Sequence, residues 1–448
     1  MTATAVPAVE AGGRTEATPG EVRRAVLAGG IGNFVEQFDF AVYGYLAPLM
    51  APAFFPESDP VASVLSTYAL FAISFLIRPV GGLIFGRFGD RVGRRTTLSW
   101  AIVLMGVLTA LIGVLPSYAQ VGFLAPALLL VIRVLQGVVQ GGEYAGAIAF
   151  IVEYAPQRRR GFYGSFVSVS VFLGLLGGAG LSSLLTSLLS HEEMSAWGWR
   201  LPFLIALPLA FTGLYLRLRI KETPEFEAAT RSGDEAVQAP LREALLSQWR
   251  GILVFCGSSV TLAVLSYGWV TYLPQYLSGT LKLSQSEAFL SNVISIGVLV
   301  PLLPVAGAVS DRIGRKPMLV IGALACIFLV PLAFLILEGG TFLSAVLGQL
   351  VYIVPEFFLT GIVTVCAAEF FPTKTRYSAS AIAYNSSFAV FAGATPFLAT
   401  LLVSEFGTIF ALWGFLATLA MLSLFVVLRF MRETYRSALS DDKYAADR

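Results

Sequence analysis

Two carboxylates interrupt a long apolar stretch of the sequence. The run GNFVEQFDFAVYGYLAPLM, residues 32–50, carries Glu36 and Asp39 near its middle. An ionised carboxylate in hydrocarbon costs roughly 3 to more than 10 kcal/mol, so a chain that keeps two of them there has a use for them. The chemistry open to such groups is proton binding or pairing with a cation. Since they are three residues apart, they lie near one face of a helix.

A second apolar run, residues 122–152, carries Arg133 and Glu143. A guanidinium stays charged, so a buried arginine needs a carboxylate or a bound anion beside it. We therefore expect Arg133 to pair with Glu36 or Asp39, or to alternate between them and a substrate carboxylate. Protonation of the carboxylate would release the arginine, which makes these four residues the candidate proton-coupling group. The alternative is a permanent salt bridge that locks the two helices together.

The composition indicates a membrane protein. Of the 448 residues, 56% are hydrophobic and 13% are charged, against about 25% charged residues in soluble domains. The net charge of +2 and the lack of a basic, aromatic-rich cluster argue against a nucleic-acid partner. The three cysteines lie far apart, and we find no nucleotide loop, metal-ligand cluster or catalytic triad. We therefore expect no enzyme and no cofactor beyond a proton as coupling ion.

Twelve apolar runs are long enough to cross a bilayer, which takes about 20 residues. A polar segment divides them into two sets of six: 26–50, 62–86, 96–116, 122–152, 162–190 and 200–218, then 251–278, 286–309, 317–337, 343–370, 377–404 and 408–430. The predicted fold is all-α and polytopic. Its predicted divisions are a disordered tail (1–24), a six-helix bundle (25–219), a central loop (220–250), a second bundle (251–430) and a second tail (431–448).

The positions of the basic residues orient these helices. All but four of the 30 lysines and arginines fall on the side of the N-terminus. The exceptions are Arg78 and Arg133 inside apolar runs, and Arg200 and Lys282 in loops on the other side. Because short cytoplasmic loops hold the excess of positive charge, both termini are predicted to be cytoplasmic.

A motif that occurs twice relates the two halves. GRFGDRVGRRTTL follows the second run and GAVSDRIGRKPML follows the eighth, and five residues of one match five of the other at a constant offset: Gly86, Asp90, Arg91, Gly93 and Arg94 with Gly307, Asp311, Arg312, Gly314 and Arg315. The first glycine permits close helix approach, the second permits a sharp reversal, and the aspartate can accept hydrogen bonds. The motif predicts a charged clasp between two related bundles, with a site at their interface.

This motif resembles the loop motif of the major facilitator superfamily, and the rest of the chain resembles that superfamily's metabolite:proton symporters. The matching stretches include GNFVEQFDFAVYGY, RVLQGVVQGGEYAGA, EYAPQRRRGFYGS, WGWRLPFL, RLRIKETPEF and EFFPTKTRYSASAIAYN. The resemblance implies twelve helices in two pseudo-symmetric bundles, alternating access, and proton-driven uptake of a small polar metabolite across the cytoplasmic membrane. Permeases for osmoprotectants, citrate, α-ketoglutarate and shikimate belong to this family.

The resemblance also implies that the first, fourth, seventh and tenth helices line the central cavity. Together with the polar residues above, this predicts a substrate-binding set: Gln37, Tyr43, Arg78, Arg133, Gln140, Trp269, Tyr272, Glu356 and Asn385. The predicted cytoplasmic gate combines the ten motif residues with Glu153, Glu369 and Arg376. The two arginines favour a carboxylate or zwitterionic substrate, and the aromatic side chains could enclose a quaternary ammonium.

Several alternatives remain open from the sequence. Arg78 either contacts substrate or forms a structural bridge. Glu356, beside Pro355, either binds a cationic group, serves as a second proton site or has no role. The alternatives to a symporter are an uncoupled facilitator and, less favoured, a transporter-like membrane sensor. The expected partners are a small molecule and membrane lipid, and the expected state is a monomer.

Overall fold

Long helices dominate the computed structural model, which describes residues 19–55, 60–219, 247–373, 375–439 and 444. The described residues contain no β-strand. We number the long helices α1 (Pro19–Phe54), α2 (Pro60–Val92), α3 (Arg94–Val114), α4 (Leu124–Tyr154), α5 (Arg160–Leu188), α6 (Arg200–Leu218), α7 (Trp249–Gly279), α8 (Gln285–Ile313), α9 (Arg315–Leu337), α10 (Phe342–Glu369), α11 (Arg376–Phe406) and α12 (Phe410–Phe430). Within the described residues, the ten helices α3 to α12 are long and apolar enough to cross a membrane by length and composition alone.

Single glycines separate two pairs of consecutive helices. Gly93 stands between α2 and α3 with a φ of 108°, and Gly314 stands between α8 and α9 with a φ of 104°. Residues other than glycine are strained at such φ angles. The second glycine of each motif copy therefore lets the chain reverse within one residue. The two copies thus have the same local conformation.

The helices pack as two bundles that meet along two related seams. In the first bundle α1 packs on α5, α2 on α4 and α3 on α6, and in the second bundle α9 packs on α10 and α12. Between the bundles, α5 packs against α8, and α2 packs against α11. Short π-helical turns at Gly268–Tyr272 and Phe388–Ala392 interrupt α7 and α11.

The two bundles approach closely where the first glycine of each motif copy lies. A Cβ added to Gly307 would lie 2.3 Å from the backbone oxygen of Gly161, and one added to Gly86 would lie 2.8 Å from the Cα of Ser378. Real Cβ atoms do not approach backbone this closely, so the crossings need glycine. This is the close approach that the sequence predicted for these two positions.

The first helix starts earlier than the sequence analysis expected. Residues 19–24, assigned there to a disordered tail, form the first turns of α1, and Pro19 and Glu21 suit a helix start. The rest of that predicted tail, residues 1–18, lies outside the described residues. So do residues 220–246 of the predicted central loop, and 440–443 and 445–448 of the second tail.

Substituting Gly307 by alanine should open the seam between α5 and α8 on the cytoplasmic side. Overpacking of this kind costs about 1–3 kcal/mol, which shifts a two-state equilibrium by roughly one to two orders of magnitude. The distance between spin labels at the exposed residues Arg159 and Ile313 should be longer in a larger fraction of the variant molecules than of the wild type.

The matched control is Gly297→Ala on the same helix, because a Cβ there meets nothing within 4 Å. An unchanged distance distribution in Gly307→Ala would contradict the assigned role of the first glycine.

Candidate functional site

A central cavity lies between the two bundles, with walls from both. Five of the residues that the sequence analysis selected line it: Glu36, Gln37, Arg78, Gln140 and Asn385. They come from α1, α2, α4 and α11. The two charged residues among them make this cavity the candidate binding site.

Glu36 and Arg78 form an ion pair on the cavity wall. The Arg78 guanidinium lies 3.1 Å from Glu36 Oε1 and donates to Gln140 Oε1 at 2.8 Å. Gln37 Nε2 also faces Glu36 Oε1, at 3.4 Å. Within the described residues, Glu36 Oε2 and Arg78 Nε have no hydrogen-bond partner. The pair therefore has an acceptor and a donor left over, and its arginine keeps 11% of its side chain exposed.

Asp39 and Arg133 form a separate, deeper pair. Arg133 donates to Asp39 Oδ2 at 2.9 Å, and Gln136 donates to Asp39 Oδ1 at 3.2 Å. The guanidinium carbon lies 3.6 Å from the centre of the Tyr43 ring. Asp39 is fully buried and Arg133 is 1% exposed. Of the two carboxylates that we considered for Arg133, the structure selects Asp39, and neither member of this pair is on the cavity wall.

Glu143 and Tyr43 lie away from the cavity wall, contrary to the predicted grouping. Glu143 accepts from Arg217 of α6, which also donates to the carbonyl oxygen of Ala28 at 2.8 Å. The side chain of Glu143 lies where a Cβ on Gly32 would be, so it faces α1 within the first bundle. Tyr43 donates to the carbonyl oxygen of Thr67 at 3.0 Å. The structure thus places both residues away from the cavity wall, which a helical span alone does not reveal, and their predicted roles stay predictions.

Trp269 and Tyr272 are buried and do not line the cavity. The Trp269 indole donates to Ser295 at 3.2 Å and to Gln349 at 3.1 Å. These two residues therefore form no part of the described cavity wall, and their contact with substrate stays a prediction. The opposite face of α7 lines the cavity, through a stripe of residues at helical spacing: Leu262, Ser266, Tyr267, Val270 and Thr271.

Aromatic residues that the substrate-binding prediction left out form much of the wall. Tyr144 stacks on Tyr384 with ring centres 4.2 Å apart, and Tyr384 stacks on Phe388 at 4.1 Å. All three line the cavity, as do Tyr267 and Phe172. Tyr144 lies four residues after Gln140 and so on the same helical face. This spacing could have identified Tyr144 from the sequence.

Glu356 is the remaining predicted binding residue, and it lies behind the wall. Ser266 donates to its Oε1 at 2.8 Å and Thr360 donates to its Oε2 at 2.6 Å. These two hydroxyl residues line the cavity, whereas Glu356 itself is fully buried. Within the described residues, no group of three His, Cys, Asp or Glu side chains could hold a metal ion.

Hydrogen bonds between the bundles seal the cavity on its cytoplasmic side. The Thr364 hydroxyl lies 2.8 Å from that of Tyr144 and 2.9 Å from that of Ser168. Asn385 donates to the Gly141 carbonyl oxygen at 2.5 Å, which settles its position at the interface of the two halves. Tyr377 donates to the carbonyl oxygen of the neighbouring Gly142 at 2.8 Å. These contacts form the floor of the cavity.

Below the floor, the first motif copy reaches across the interface. Arg376 of α11 donates to Glu153 at the end of α4, at 2.6 Å, and Arg94 lies 3.5 Å from the same carboxylate oxygen. Arg94 also donates to the Thr373 carbonyl oxygen at 2.8 Å. A carboxylate of the first bundle thus holds arginines from both bundles. Arg91 is exposed, and the side chain of Asp90 lies outside the described part of the structure.

The second motif copy makes the reciprocal contact. Asp311 of α8 accepts from the backbone N–H groups of Gly161 and Phe162 at 2.8 and 2.9 Å. These groups belong to the first turn of α5, where unpaired N–H groups and the helix dipole favour an anion. Arg315 holds Asp311 at 2.9 Å and Glu369 at 3.0 Å. Arg312, like Arg91, is exposed.

Comparison with known proteins decides the family. The model of the major facilitator superfamily matches residues 29–395 of the chain. The chain belongs to this superfamily. It is 39% identical to a glycine betaine/proline/ectoine/pipecolic acid transporter of Dickeya dadantii over 436 residues, covering 95% of this chain and 86% of the relative. It is 40% identical to the proline/betaine transporter of Escherichia coli over 395 residues, covering 86% of this chain and 79% of the relative.

Solved structures of the superfamily share the fold. The proton:xylose symporter XylE bound to 6-bromo-6-deoxy-D-glucose superposes with a TM-score of 0.78 at 18% identity, covering 94% of this chain and 98% of that one. The twelve-helix architecture and the family resemblance predicted from the sequence are therefore confirmed. This member of the major facilitator superfamily is a multi-pass membrane transporter.

In this superfamily member, the described part of the C-terminal tail adds to the cytoplasmic closure. The carbonyl oxygen of Leu439 accepts from Arg376 at 2.6 Å, and that of Ser437 accepts from Arg160 at 3.0 Å. The tail therefore contacts both bundles. Tyr444 packs on Phe370, and burial raises the pKa of its phenol to about 12, so it stays neutral at cytoplasmic pH.

Glu153→Gln should weaken the cytoplasmic closure, because it leaves Arg94 and Arg376 buried with reduced compensation. Breaking a buried pair on one side costs about 3–5 kcal/mol. The variant should melt at a lower temperature in detergent, and its substrate uptake in proteoliposomes should slow at least about tenfold.

Glu192→Gln removes an exposed carboxylate from an outer loop and is the matched control. Wild-type melting and uptake in Glu153→Gln would show that this carboxylate is not part of the closure.

Proposed function

We propose that this protein takes up a small zwitterion together with a proton by alternating access. Relatives at 39% and 40% identity are named as transporters of proline, betaine and ectoine or of proline and betaine, compounds that carry a carboxylate and a cationic nitrogen. The observation that supports the proposal most directly is the Glu36–Arg78 pair on the cavity wall. It offers one charge of each sign where a substrate would sit.

Arg78 is the group suited to the substrate carboxylate. It already contacts Glu36 and Gln140, and its Nε has no hydrogen-bond partner within the described residues. A substrate carboxylate that binds Arg78 competes with Glu36 for the same positive charge. Once its cation is shared, a buried Glu36 favours the protonated form, because burial penalises the charged one. Substrate binding and proton binding therefore support each other.

The aromatic wall is suited to the cationic end. Tyr144, Tyr384 and Phe388 stack in series, and Tyr267 lies on the same cavity. The face of an aromatic ring attracts a quaternary or secondary ammonium group, with a gain of about 0.5–2 kcal/mol per contact. A betaine or proline would thus have its carboxylate at Arg78 and its nitrogen against these rings.

The gate contacts give the conformational step. The described structure is closed on the cytoplasmic side by the Asp311 and Glu153 clusters, while the aromatic pair Tyr45 and Phe289, 5.1 Å apart, bridges the bundles in the outer half. Release to the cytoplasm requires that the Asp311 bonds to the start of α5 break. When a zwitterion and a proton are bound, the charges of Glu36 and Arg78 are compensated whether the cytoplasmic side is closed or open. This compensation lowers the free-energy cost of the change between the two conformations. We place this cycle in a monomer in the cytoplasmic membrane.

Uptake into proteoliposomes tests the function. Radiolabelled glycine betaine, proline, citrate and α-ketoglutarate are each offered with and without an imposed gradient that is acidic outside. We expect betaine or proline to accumulate above its outside concentration only with the gradient, and a protonophore to abolish the accumulation. Equilibration without accumulation, insensitive to the protonophore, would favour the uncoupled facilitator instead.

The two acids of α1 should respond differently to the same chemical change. Glu36→Gln mimics the protonated state on the cavity wall, so substrate exchange should persist while gradient-driven accumulation is lost. Asp39→Asn leaves Arg133 buried without its carboxylate, which costs about 3–5 kcal/mol, so the folded protein itself should be destabilised.

The measurements are exchange, accumulation and melting temperature for both variants, with the exposed Glu405→Gln as the control for loss of a carboxylate. Equal loss of exchange and accumulation in a stably folded Glu36→Gln would show that Glu36 is a structural partner of Arg78 rather than the proton carrier.

A further inference from the structure

Glu356 differs from the other fully or nearly fully buried acids of this protein. Within the described residues, each of the others has an arginine partner: Glu36, Asp39, Glu143, Glu153 and Glu369. Glu356 is 0% exposed, and its hydrogen-bond partners are the hydroxyl groups of Ser266 and Thr360.

No charged group compensates Glu356 among the described residues that pack around it. The titratable side chains that face it are Cys326 of α9 and Tyr352 of α10, both neutral at ordinary pH. Tyr352 is itself engaged as a donor to the carbonyl oxygen of Leu265 at 3.0 Å. An ionised carboxylate taken out of water without a counter-ion is strongly disfavoured, and the group takes up a proton instead.

The two hydroxyl partners connect Glu356 to the cavity. Ser266 and Thr360 come from different helices, α7 and α10, and both line the cavity wall. A hydroxyl group can donate one proton while it accepts another. A proton from cavity water can therefore reach a Glu356 oxygen as each hydroxyl accepts one proton and passes its own on, and release follows the same steps in reverse.

We propose that Glu356 is a second proton-binding site of the transport cycle, which exchanges its proton with the central cavity through Ser266 and Thr360. The inference rests on the proposed function only in that it assumes proton-coupled transport. It adds a proton to the one assigned to Glu36, and it places that proton in the other bundle.

The cytoplasmic floor couples this site to the conformational change. Thr364, one turn below Thr360, donates to the Thr360 carbonyl oxygen at 2.8 Å, and its hydroxyl oxygen is also held by Tyr144 and Ser168 of the first bundle. When the bundles separate on the cytoplasmic side, these contacts between bundles break. Thr360 then faces the cytoplasm, which gives Glu356 a path for release on the side opposite to uptake.

The number of protons moved per substrate tests the proposal. It is measured in proteoliposomes from the membrane potential at which a fixed substrate gradient and a fixed pH gradient produce no net flux. The variants are Glu356→Gln, which keeps the size and the hydrogen-bonding capacity of the side chain, and Glu405→Gln, an exposed acid, as the matched control. We expect Glu356→Gln to move one proton fewer per substrate than the wild type and Glu405→Gln to match the wild type.

The hydroxyl variants Ser266→Ala and Thr360→Val supply a second readout, since they keep the carboxylate but interrupt the relay. In infrared difference spectra between two pH values, the wild type should show one more carbonyl band of a protonated carboxylic acid than Glu356→Gln, which keeps the band of Glu36. In the double hydroxyl variant, this additional band should respond more slowly to a pH jump. This readout requires only folded protein.

The outcomes separate the two proposals. If the wild type moves no protons, both the proposed symport and the second proton site fail. If the wild type is coupled and Glu356→Gln moves the same number of protons, the second proton site is overturned while symport stands. If Glu356→Gln raises the substrate KM without changing the number of protons, Glu356 instead binds the cationic group of the substrate, and the proposal also fails.

Discussion

The cost of an uncompensated charge in a low-dielectric interior governs the arrangement of this transporter. Pairing offsets that cost only where the geometry is good, and removing one partner exposes the full penalty. The two carboxylates of α1 illustrate this, since each has its own arginine from a different helix. The Asp39–Arg133 pair is sealed and further held by Gln136, so it ties α1 to α4. The Glu36–Arg78 pair is open to the cavity and can be rearranged.

Pairing of buried charges also closes the cytoplasmic side, in two clusters related by pseudo-symmetry. One carboxylate in each cluster contacts the opposite bundle: Glu153 holds Arg376, and Asp311 caps the start of α5. These contacts require the helices to touch, which the glycines at positions 86 and 307 permit. Because the contacts are polar and water can replace them when the bundles separate, the closure is stable but reversible. A purely apolar seam would lack this exchange with water.

The sequence predicted the fold and the gate better than it predicted the cavity wall. Hydropathy and basic-residue asymmetry depend on the bilayer, which acts uniformly on every span, and the glycine roles at 93 and 314 follow from local backbone geometry. The face that a membrane helix turns to a cavity depends on the packing of all its neighbours. Trp269 and Tyr43 were misplaced for this reason, and Tyr144 was missed. A helix apolar on every face carries little periodic signal.

Three buried acids thus occupy three electrostatic settings. Asp39 has a sealed cation and an added amide, Glu36 has a cation that lines the cavity, and Glu356 has hydroxyl partners alone within the described residues. In the proposed cycle, the freedom of Glu36 and Glu356 to exchange a proton follows from how firmly each charge is compensated and from access to the cavity. Asp39 is not on the cavity wall. In that cycle, Glu36 gains freedom when substrate occupies Arg78, and Glu356 has hydroxyl access without a described cation to hold it ionised, so we propose that proton binding in the two bundles follows the same substrate cycle.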